Sequence, residues 1–509
     1  MSTITVVPNK QALVLGGCDV APILAAVPTA RQIPSGVAVP HKLDEAKVLN
    51  NIGFKVPSPI RYYYKWPGRA KPYAHQIATA EFITLNKRAI VLNEIGTGKT
   101  KAALWAADYL MSIGAVKKVL VLSPLSTLER VWGDELFTGF PRRSFGILHG
   151  TADKRRKMLE QDYDVYVINH DGFPIIAKEA LGMFDLVIVD EAAVLRNPRT
   201  QRFRLFNAWM QKSPECRLWL MTGTPTPNSP EDAWALAKLI GATNDSFTRF
   251  RDRVLVRVSQ WTWRPRENAM DIVASTLTPA VRYTRDECLD LPDTVQQTRF
   301  VEMTAEQKKL YATMYKKLVA EVASGTVTAA NEVVKAMKLS QIACGVVYDE
   351  AGNTIELDCS SRIGVVKEVI EEAGGKVIIF APLVGVLDML KRALGDTYKC
   401  EMVYGQVPAV ERNRIFREFQ HEDTVQVLLA HPATMAHGLT LTAAKSVIWY
   451  SPIGSNETYT QANGRTERIG KKHTTNVVHI TATKLEDRMY ARLASKQHMQ
   501  GVLLDMIKQ

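Results

Sequence analysis

Cysteine is scarce in this chain. The six residues, Cys18, Cys216, Cys288, Cys344, Cys359 and Cys400, never fall at C-x-x-C spacing, which argues against a zinc site or a disulfide framework and suits a reducing compartment where the thiols pack as small hydrophobes. Long apolar runs are also missing. No uninterrupted stretch approaches the ~20 residues of a membrane helix, and the N-terminus lacks the basic segment, apolar core and cleavage site of a signal peptide. The expectation is a protein with no membrane contact and no secretion, held in the cytoplasm or on the nucleoid, or in the nucleus of a eukaryote. The third shortage is negative charge. Lys and Arg number 64 against 52 Asp and Glu, a net +12, and this points to a polyanionic partner without separating DNA from RNA.

At 509 residues, 46% hydrophobic and 23% charged, the chain exceeds what one core supports, so two or three domains are expected. Their centre is Asn93-Glu94-Ile95-Gly96-Thr97-Gly98-Lys99-Thr100, between the apolar run Ala89-Ile90-Val91-Leu92 and the helix-forming Ala102 to Ala107. Strand, glycine loop and helix make a phosphate cradle. Gly96 and Gly98 let backbone N–H groups turn onto phosphates, and the helix N-terminus favours negative charge. Lys99 can reach the outer phosphates and Thr100 can hold Mg²⁺. The pattern matches G-x-x-x-x-G-K-[ST] except that Asn93 stands at the first glycine.

Further apolar runs follow at Val119-Leu122, Asp164-Ile168, Leu186-Val189 and Leu218-Met221, alternating with helical stretches as in a parallel sheet covered on both faces. Ligands of such sheets bind beyond the C-terminal strand ends, and polar residues stand there in each case. Ser123 and Pro124 follow one run and Asn169 another, and these either contact a sugar-phosphate backbone or cap a helix; Thr222 follows a third in Thr222-Gly223-Thr224-Pro225, which either relays between the nucleotide and the second half of the chain or is a tight turn. Asp190-Glu191 ends a buried apolar run about ninety residues after the glycine loop. An Asp there can hold Mg²⁺ and a Glu can orient and deprotonate water, completing an ATPase site.

Other segments leave two readings each. Arg61-Tyr62-Tyr63-Tyr64-Lys65-Trp66 precedes Tyr73 and Gln76: either one of these rings stacks on a nucleotide base whose edge Gln76 reads, or the aromatics form a structural cluster. Arg249, Arg251, Arg253, Arg257, Arg264 and Arg266 lie with Trp261 and Trp263 in one stretch opposed only by Asp252. They form a nucleic-acid path, or a solvated helix face over buried tryptophans. Lys154-Arg155-Arg156-Lys157 reads as a solvated helix surface. Near the N-terminus, Thr3-Val7 and Ala12-Leu15 read as strands and Lys42-Asn50 as a helix.

Taken in order, the glycine loop, Ser-Pro-Leu-Ser-Thr-Leu with Trp132 and Glu135, Asp-Glu-Ala-Ala with Arg196 and Asn197, and Thr-Gly-Thr-Pro with Asn228 resemble the motifs of superfamily-two helicases of the Swi/Snf-like branch. Lys376-Phe380, Gly438-Leu439-Thr440-Leu441-Thr442 and Gln461 to Gly470 resemble that family's second lobe, and Leu291-Pro292 with Gln307 and Tyr311 its linker. The resemblance spans roughly residues 70 to 500. It departs at Ala193, where many relatives have His, and at Asn93, where they carry an acidic or small residue.

The resemblance implies an α/β fold of two RecA-like parallel-sheet lobes with a helical insertion between them and a small N-terminal appendage. Residues 1–60 would be the appendage, 61–290 the first lobe with a basic and aromatic insertion near 244–290, and 291–509 the second lobe with C-terminal helices. It implies ATP and Mg²⁺ as cofactors, with Gln76, Glu94, Gly96, Thr97, Gly98, Lys99, Thr100 and Gly438 at the nucleotide, and Thr100 and Asp190 at the metal. Lys99, Asp190, Glu191, Arg465 and Arg468 would be catalytic; the two arginines, three apart, would share a helix face and supply charge across a cleft. Ser123, Pro124, Asn169, Thr222, Arg251, Arg253, Arg257, Trp261 and Trp263 would meet nucleic acid. The partner implied is double-stranded or branched DNA, with RNA as the alternative and residues 1–60 left to bind a protein. Three functions follow: a translocase on duplex DNA, a strand-separating DNA or RNA helicase, or a scaffold with a vestigial ATPase. The branch-specific motifs favour the first.

Overall fold

Leu13 and Leu15 are buried while Ala12 and Val14 are half-buried, the period-2 pattern of a strand with one face on a core. In the computed structural model, which describes residues 3–68, 71–94, 96–223, 225–226, 229–259, 263–288, 294–323, 338–349, 351–435, 440–467, 474–491 and 493, this strand belongs to an antiparallel sheet of four. Its strands are β1 (Thr3–Val7), β2 (Ala12–Gly16), β3 (Arg31–Ile33) and β4 (Gly36–Pro40), in the order β1-β2-β4-β3. Leu13, Leu15, Val37 and Val39 pack on Ala46 and Leu49 of helix Leu43–Asn51. The appendage thus has twice the two strands read from sequence.

The chain divides into two units after Cys288. Besides the appendage, the first holds a seven-stranded sheet of β5 (Arg88–Val91), β6 (Val119–Ser123), β7 (Phe145–Leu148), β8 (Val165–Asn169), β9 (Leu186–Asp190), β10 (Arg217–Met221) and a two-residue β13 (Ala280–Val281); β11 (Leu255–Arg257) and β12 (Trp263–Pro265) form a separate antiparallel hairpin. The sheet order is β13-β5-β10-β9-β6-β8-β7 and every pairing is parallel. Its apolar runs are continuous because both faces are covered. Ile90, Leu120, Leu122, Val187 and Val189 enter one core, while Ala89, Val91, Val119, Val121 and Ile188 enter the other. Two strands escape the sequence reading: β7, which Gly146 interrupts, and β13, too short to register. Yet β13 matters to the loop, because Val281 and Tyr283 carbonyls accept from Leu92 and Glu94 and carry the ladder past the end of β5.

In the second unit, β14 (Thr294–Phe300), β17 (Lys376–Phe380), β18 (Cys400–Val403), β19 (Val427–Ala430), β20 (Ala444–Trp449) and β21 (Thr475–Thr481) form a parallel sheet ordered β14-β21-β20-β17-β19-β18; β15 (Val346–Tyr348) and β16 (Thr354–Glu356) pair as a hairpin. Val377, Ile379 and Leu429 face one core, Ile378, Phe380 and Leu428 the other. The fold is therefore α/β, with two parallel sheets each covered on both faces. Among the described residues no helix is long and apolar enough to cross a membrane. All six cysteines are free, three of them buried, and burial pushes the Cys216 thiol up to about 12.

The second core contains a buried histidine. His479 of β21 shares a 2.7 Å hydrogen bond with the Tyr459 hydroxyl and stacks on Tyr490 at 4.1 Å. Desolvation lowers its pKa to about 4. The unfolded chain then binds the extra proton below pH 6.5, so this stability is full above 6.5 and is lost as pH falls towards 4. Unfolding free energies of the unmodified protein should fall by about 2 kcal/mol more than those of His479→Gln between pH 7.5 and pH 5, as read by denaturant titration. Parallel pH profiles for the two proteins would refute the assignment.

Candidate functional site

The glycine loop joins β5 to helix Lys99–Ser112. Gly96 and Gly98 have φ of +90° and +81°, a conformation that favours glycine, and a Cβ on Gly98 would stand 2.2 Å from Gln76 Nε2 and push that amide off the Thr97 carbonyl. Lys99 lies back across the loop, its Nζ donating to the carbonyls of Asn93 at 2.8 Å and Glu94 at 3.2 Å. Thr97 is fixed at both ends: its hydroxyl donates to Glu94 O, and its carbonyl accepts from His75 Nε2 at 2.8 Å and Gln76 Nε2 at 3.2 Å. Thr100 follows Lys99 in the first helical turn, where backbone N–H groups lack intrahelical acceptors. Glu94 pairs at 3.3 Å with Arg282, whose side chain is 1% exposed. This cradle fits a polyphosphate: its backbone is turned by two glycines, its lysine sits on carbonyls, and a helix N-terminus faces it.

Gln76 is buried, with its amide nitrogen on Thr97 and its Oε1 accepting from Tyr73 N, so both ends of the side chain order the loop. Of the aromatic group, Tyr64 and Trp66 pack in the core: Tyr64 donates to Asp108 at 2.5 Å and Trp66 meets Trp105 edge-on. Tyr63 bonds His41. The structural reading holds for these rings, whereas Tyr73 is 44% exposed and stacks on His75 beside the loop. Asn93 turns inward, donating to Thr79 Oγ1 at 2.9 Å; a side chain buried against helix Ala74–Leu85 accounts for the departure from glycine.

The acidic pair stands on the same sheet. Val91 and Asp190 both pair with Met221 of the intervening β10, which places the ends of β5 and β9 level and about 10 Å apart. Asp190 Oδ2 accepts from Trp132 Nε1 at 3.1 Å, and its carbonyl accepts from His170 Nε2 at 2.8 Å. Glu191 has φ +51° and ψ +51°, a left-handed conformation that non-glycine residues avoid and that marks stored strain. Thr100 and Asp190 supply the hydroxyl and carboxylate oxygens that suit Mg²⁺. Ala193 is buried, and its carbonyl accepts from Arg196.

Among the residues expected to meet nucleic acid, Ser123 and Thr222 are fully buried, Pro124 is half-buried and Asn169 is 9% exposed. Asn169 Oδ1 accepts from Arg155 Nη1 at 2.8 Å, and Arg155 also donates to the carbonyls of Leu148 and Gly150. Arg155 is therefore no part of a solvated helix surface. A long side chain on a short polar helix reaches inward because three acceptors lie between β7 and β8.

The arginine stretch is also more tied down than expected. Arg249 and Arg253 both pair with Asp245, at 3.3 and 2.6 Å, so Asp252 is not their only opponent; Asp245 lies just outside the arginine-rich window. Arg251 sits 4.2 Å over the Trp263 ring and pairs with Asp252. Arg266 binds the carbonyls of Asp252 and Leu255. Arg257 and Arg264 are exposed on the β11-β12 hairpin, and Trp261 lies outside the described residues.

In the second unit, helix Asn456–Asn463 ends at Gly464. Arg465 therefore sits in a turn just past this helix, not on it: the Arg465 and Thr466 N–H groups close onto Ala462 and Asn463, and Trp449 Nε1 holds Asn463 Oδ1. Arg465 is buried with its Nε on the Met435 carbonyl at 3.1 Å. Arg468, Gly438, Thr224, Asn228 and Leu291-Pro292 lie outside the described residues. Gln307 donates to the carbonyls of Ile342 and Ala343. The residues that sequence reasoning misses are His75, Arg155, His170 and Arg282. Arg155 sits in a basic run whose pattern points to solvent, and His75, His170 and Arg282 sit in no pattern and act on partners 20 or more residues away.

Two family models match the chain. The model of the SNF2-related domain matches residues 75–345, and that of the helicase conserved C-terminal domain matches residues 361–470. The chain is similar to putative protein p41 of Acyrthosiphon pisum secondary endosymbiont phage 1, 25% identical over 465 residues covering 86% of this chain and 98% of the phage protein. It is similar to the ISWI chromatin-remodeling complex ATPase ISW1 of Saccharomyces cerevisiae, 24% identical over 469 residues, 86% of this chain but 41% of the yeast protein. A solved structure, the Sulfolobus solfataricus SWI2/SNF2 ATPase core in complex with dsDNA, is 21% identical with a TM-score of 0.41, covering 87% of this chain and 95% of that one.

Proposed function

The chain belongs to the SNF2-related family, and from that premise we propose that it is a nucleic-acid-dependent ATPase that translocates on double-stranded or branched DNA. The observation that carries this is the level placement of the glycine loop and the Asp190-Glu191 tip on one parallel sheet. In the proposed reaction Lys99 leaves the Asn93 and Glu94 carbonyls for the outer phosphate oxygens of ATP. Thr100 and Asp190 would hold Mg²⁺, which would supply neutralising charge to the phosphates when bound. Glu191, held by its backbone at the strand tip, orients the attacking water and takes its proton. Tyr73, exposed and stacked on His75 beside the loop, is the ring assigned to stack on the base. Arg468 and Arg465 are assigned as the cationic pair of the reaction, an effect worth ~10³ to 10⁵ in rate where arginine fingers act.

For the nucleic acid, the exposed Arg257 and the Arg251-Trp263 pair support a phosphate path along helix Phe247–Val254 and the following hairpin. Arg253 would exchange Asp245 for phosphate. Residues 1–60 are the candidate docking module for a protein partner.

The test is ATP turnover with no nucleic acid, single strand, duplex, branched DNA and RNA, beside strand- and triplex-displacement assays. Duplex should stimulate most, and a triplex strand should be displaced without unwinding a long duplex. Efficient unwinding of a blunt duplex, or stimulation by RNA alone, would favour the helicase; absence of turnover with every ligand would favour the scaffold. Replacing Arg251, Arg253 and Arg257 with Ala should weaken duplex binding for many sequences alike, leave unstimulated turnover unchanged, and lower the salt slope by roughly 0.9 for each phosphate no longer neutralised. An unaltered slope would return these arginines to a solvated face.

A further inference from the structure

Asp190 is held by a residue from a different strand end. Strand β6 is followed by two short turns, Leu125–Thr127 and then Leu128–Gly133. The second is a π-helical turn, wider than an α-turn. Such single π turns are rare and concentrate at functional sites, because the extra residue in the turn re-aims a side chain. Here it carries Trp132, which is fully buried among Val121, Val167 and Ile188 yet sends its indole N–H to Asp190 Oδ2 at 3.1 Å. An indole N–H has one donor and nothing else to offer. A phenylalanine would fill most of the same space, so packing alone does not require the nitrogen. From the far side of β6 in the sheet, His170 holds the Asp190 carbonyl through Nε2; as a carbonyl only accepts, that nitrogen carries the proton. The carboxylate and the peptide of Asp190 are thus gripped separately, by the segments that follow β6 and β8.

We propose that Trp132 is a positioning residue for the metal-binding carboxylate: its indole N–H fixes the rotamer of Asp190 so that the carboxylate meets Mg²⁺ in one orientation. The proposal rests on the reading of Asp190 as the magnesium ligand. Outer partners of metal ligands act in this way by removing orientational freedom, and their loss costs about 10- to 100-fold in metal affinity.

The test is fluorescent-nucleotide binding by the full chain, titrated with Mg²⁺ and repeated in EDTA, for the unmodified protein, Trp132→Phe, Asp190→Asn and Leu136→Val. Leu136 is buried three residues beyond the π turn and probes packing alone. Trp132→Phe should raise the half-saturating Mg²⁺ concentration about 10-fold while leaving nucleotide affinity in EDTA unchanged. Leu136→Val should lower the melting temperature without moving the Mg²⁺ titration, and Trp132→Phe in the Asp190→Asn background should have no further effect on it. If Asp190→Asn shifts the titration and Trp132→Phe does not, the positioning role fails while the metal site stands. If Asp190→Asn leaves it unmoved, the metal reading itself fails. Should Trp132→Phe not fold, unmodified protein carrying 5-fluorotryptophan answers the same question: the fluorine resonance displaced by Asp190→Asn must also move when Mg²⁺ joins the ADP-bound protein. A resonance indifferent to Mg²⁺ would overturn the proposal.

Discussion

Glu191→Gln is expected to bind ATP with near-unmodified affinity and to lose turnover by about 10² to 10⁴-fold, the range a positioned general base contributes. The side chain keeps its length and hydrogen-bonding capacity, so the left-handed backbone at Glu191 and the Asp190 contacts persist; only the carboxylate proposed to accept the water's proton is gone. Lys99→Ala should do the opposite and weaken nucleotide binding, since the group that would leave the Asn93 and Glu94 carbonyls for phosphate is missing. Glu191→Gly provides a control on the strain: it should be no less stable than the unmodified protein, because glycine accepts φ +51° without a Cβ clash, and it should be equally inactive. Turnover by Glu191→Gln at the unmodified rate, measured under saturating ATP, would remove Glu191 from the chemistry.

Glu486→Ala is expected to be the most destabilising single change in the second unit. Arg362 and Glu486 are 2% and 0% exposed and meet at 2.7 Å. The guanidinium also binds the carbonyls of Ala343, Tyr450 and Ile480, and the carboxylate accepts from Ala482 N. These bonds tie the start of helix Ser360–Ala373 to the ends of β20 and β21. Removing the carboxylate strands a buried cation, at a cost of about 3–5 kcal/mol. For a unit of this size, that is a fall in melting temperature of roughly 10 °C. Glu486→Gln should cost less because the hydrogen bonds survive without the charge, and Arg362→Met with Glu486→Leu should recover much of the deficit, since a well-packed apolar pair avoids desolvating two ions. A destabilisation under about 1 kcal/mol for Glu486→Ala, measured by denaturant unfolding, would mean that water reaches the pair.

Much of the first sheet is legible because its strands are short, wholly apolar and terminate in polar residues. The runs Ala89-Leu92, Val119-Leu122, Asp164-Ile168, Leu186-Val189 and Leu218-Met221 each fall within one residue of the observed bounds. The rule that ligands gather at the C-terminal ends of parallel strands then selects Lys99, Thr100, Asp190 and Glu191 without coordinates. Strand β14 is not legible: Thr-Val-Gln-Gln-Thr-Arg-Phe at a sheet edge has no apolar run, and only pairing with β21 defines it. The arginines mislead for a related reason. Charge in a linear window says nothing about Asp245 beside Arg249 and Arg253, nor about the acceptors that draw Arg155 inward. Gly464 ends a helix that spacing alone would have continued through Arg465.

Local order, then, is enough to nominate the candidate site of this protein: a glycine loop and an acidic strand tip are each contained in a few consecutive residues, and periodicity places them on strands and helices. The partners of those groups are assigned by folding. Trp132 reaches Asp190 across 58 positions, Arg282 reaches Glu94 across 188 and Arg362 reaches Glu486 across 124. No window of sequence contains both members of such a pair. The first two contacts exist because strands far apart along the chain, β6 beside β9 and β5 beside β13, lie about 5 Å apart in the sheet, and the third because helix Ser360–Ala373 packs against the segment that follows β21.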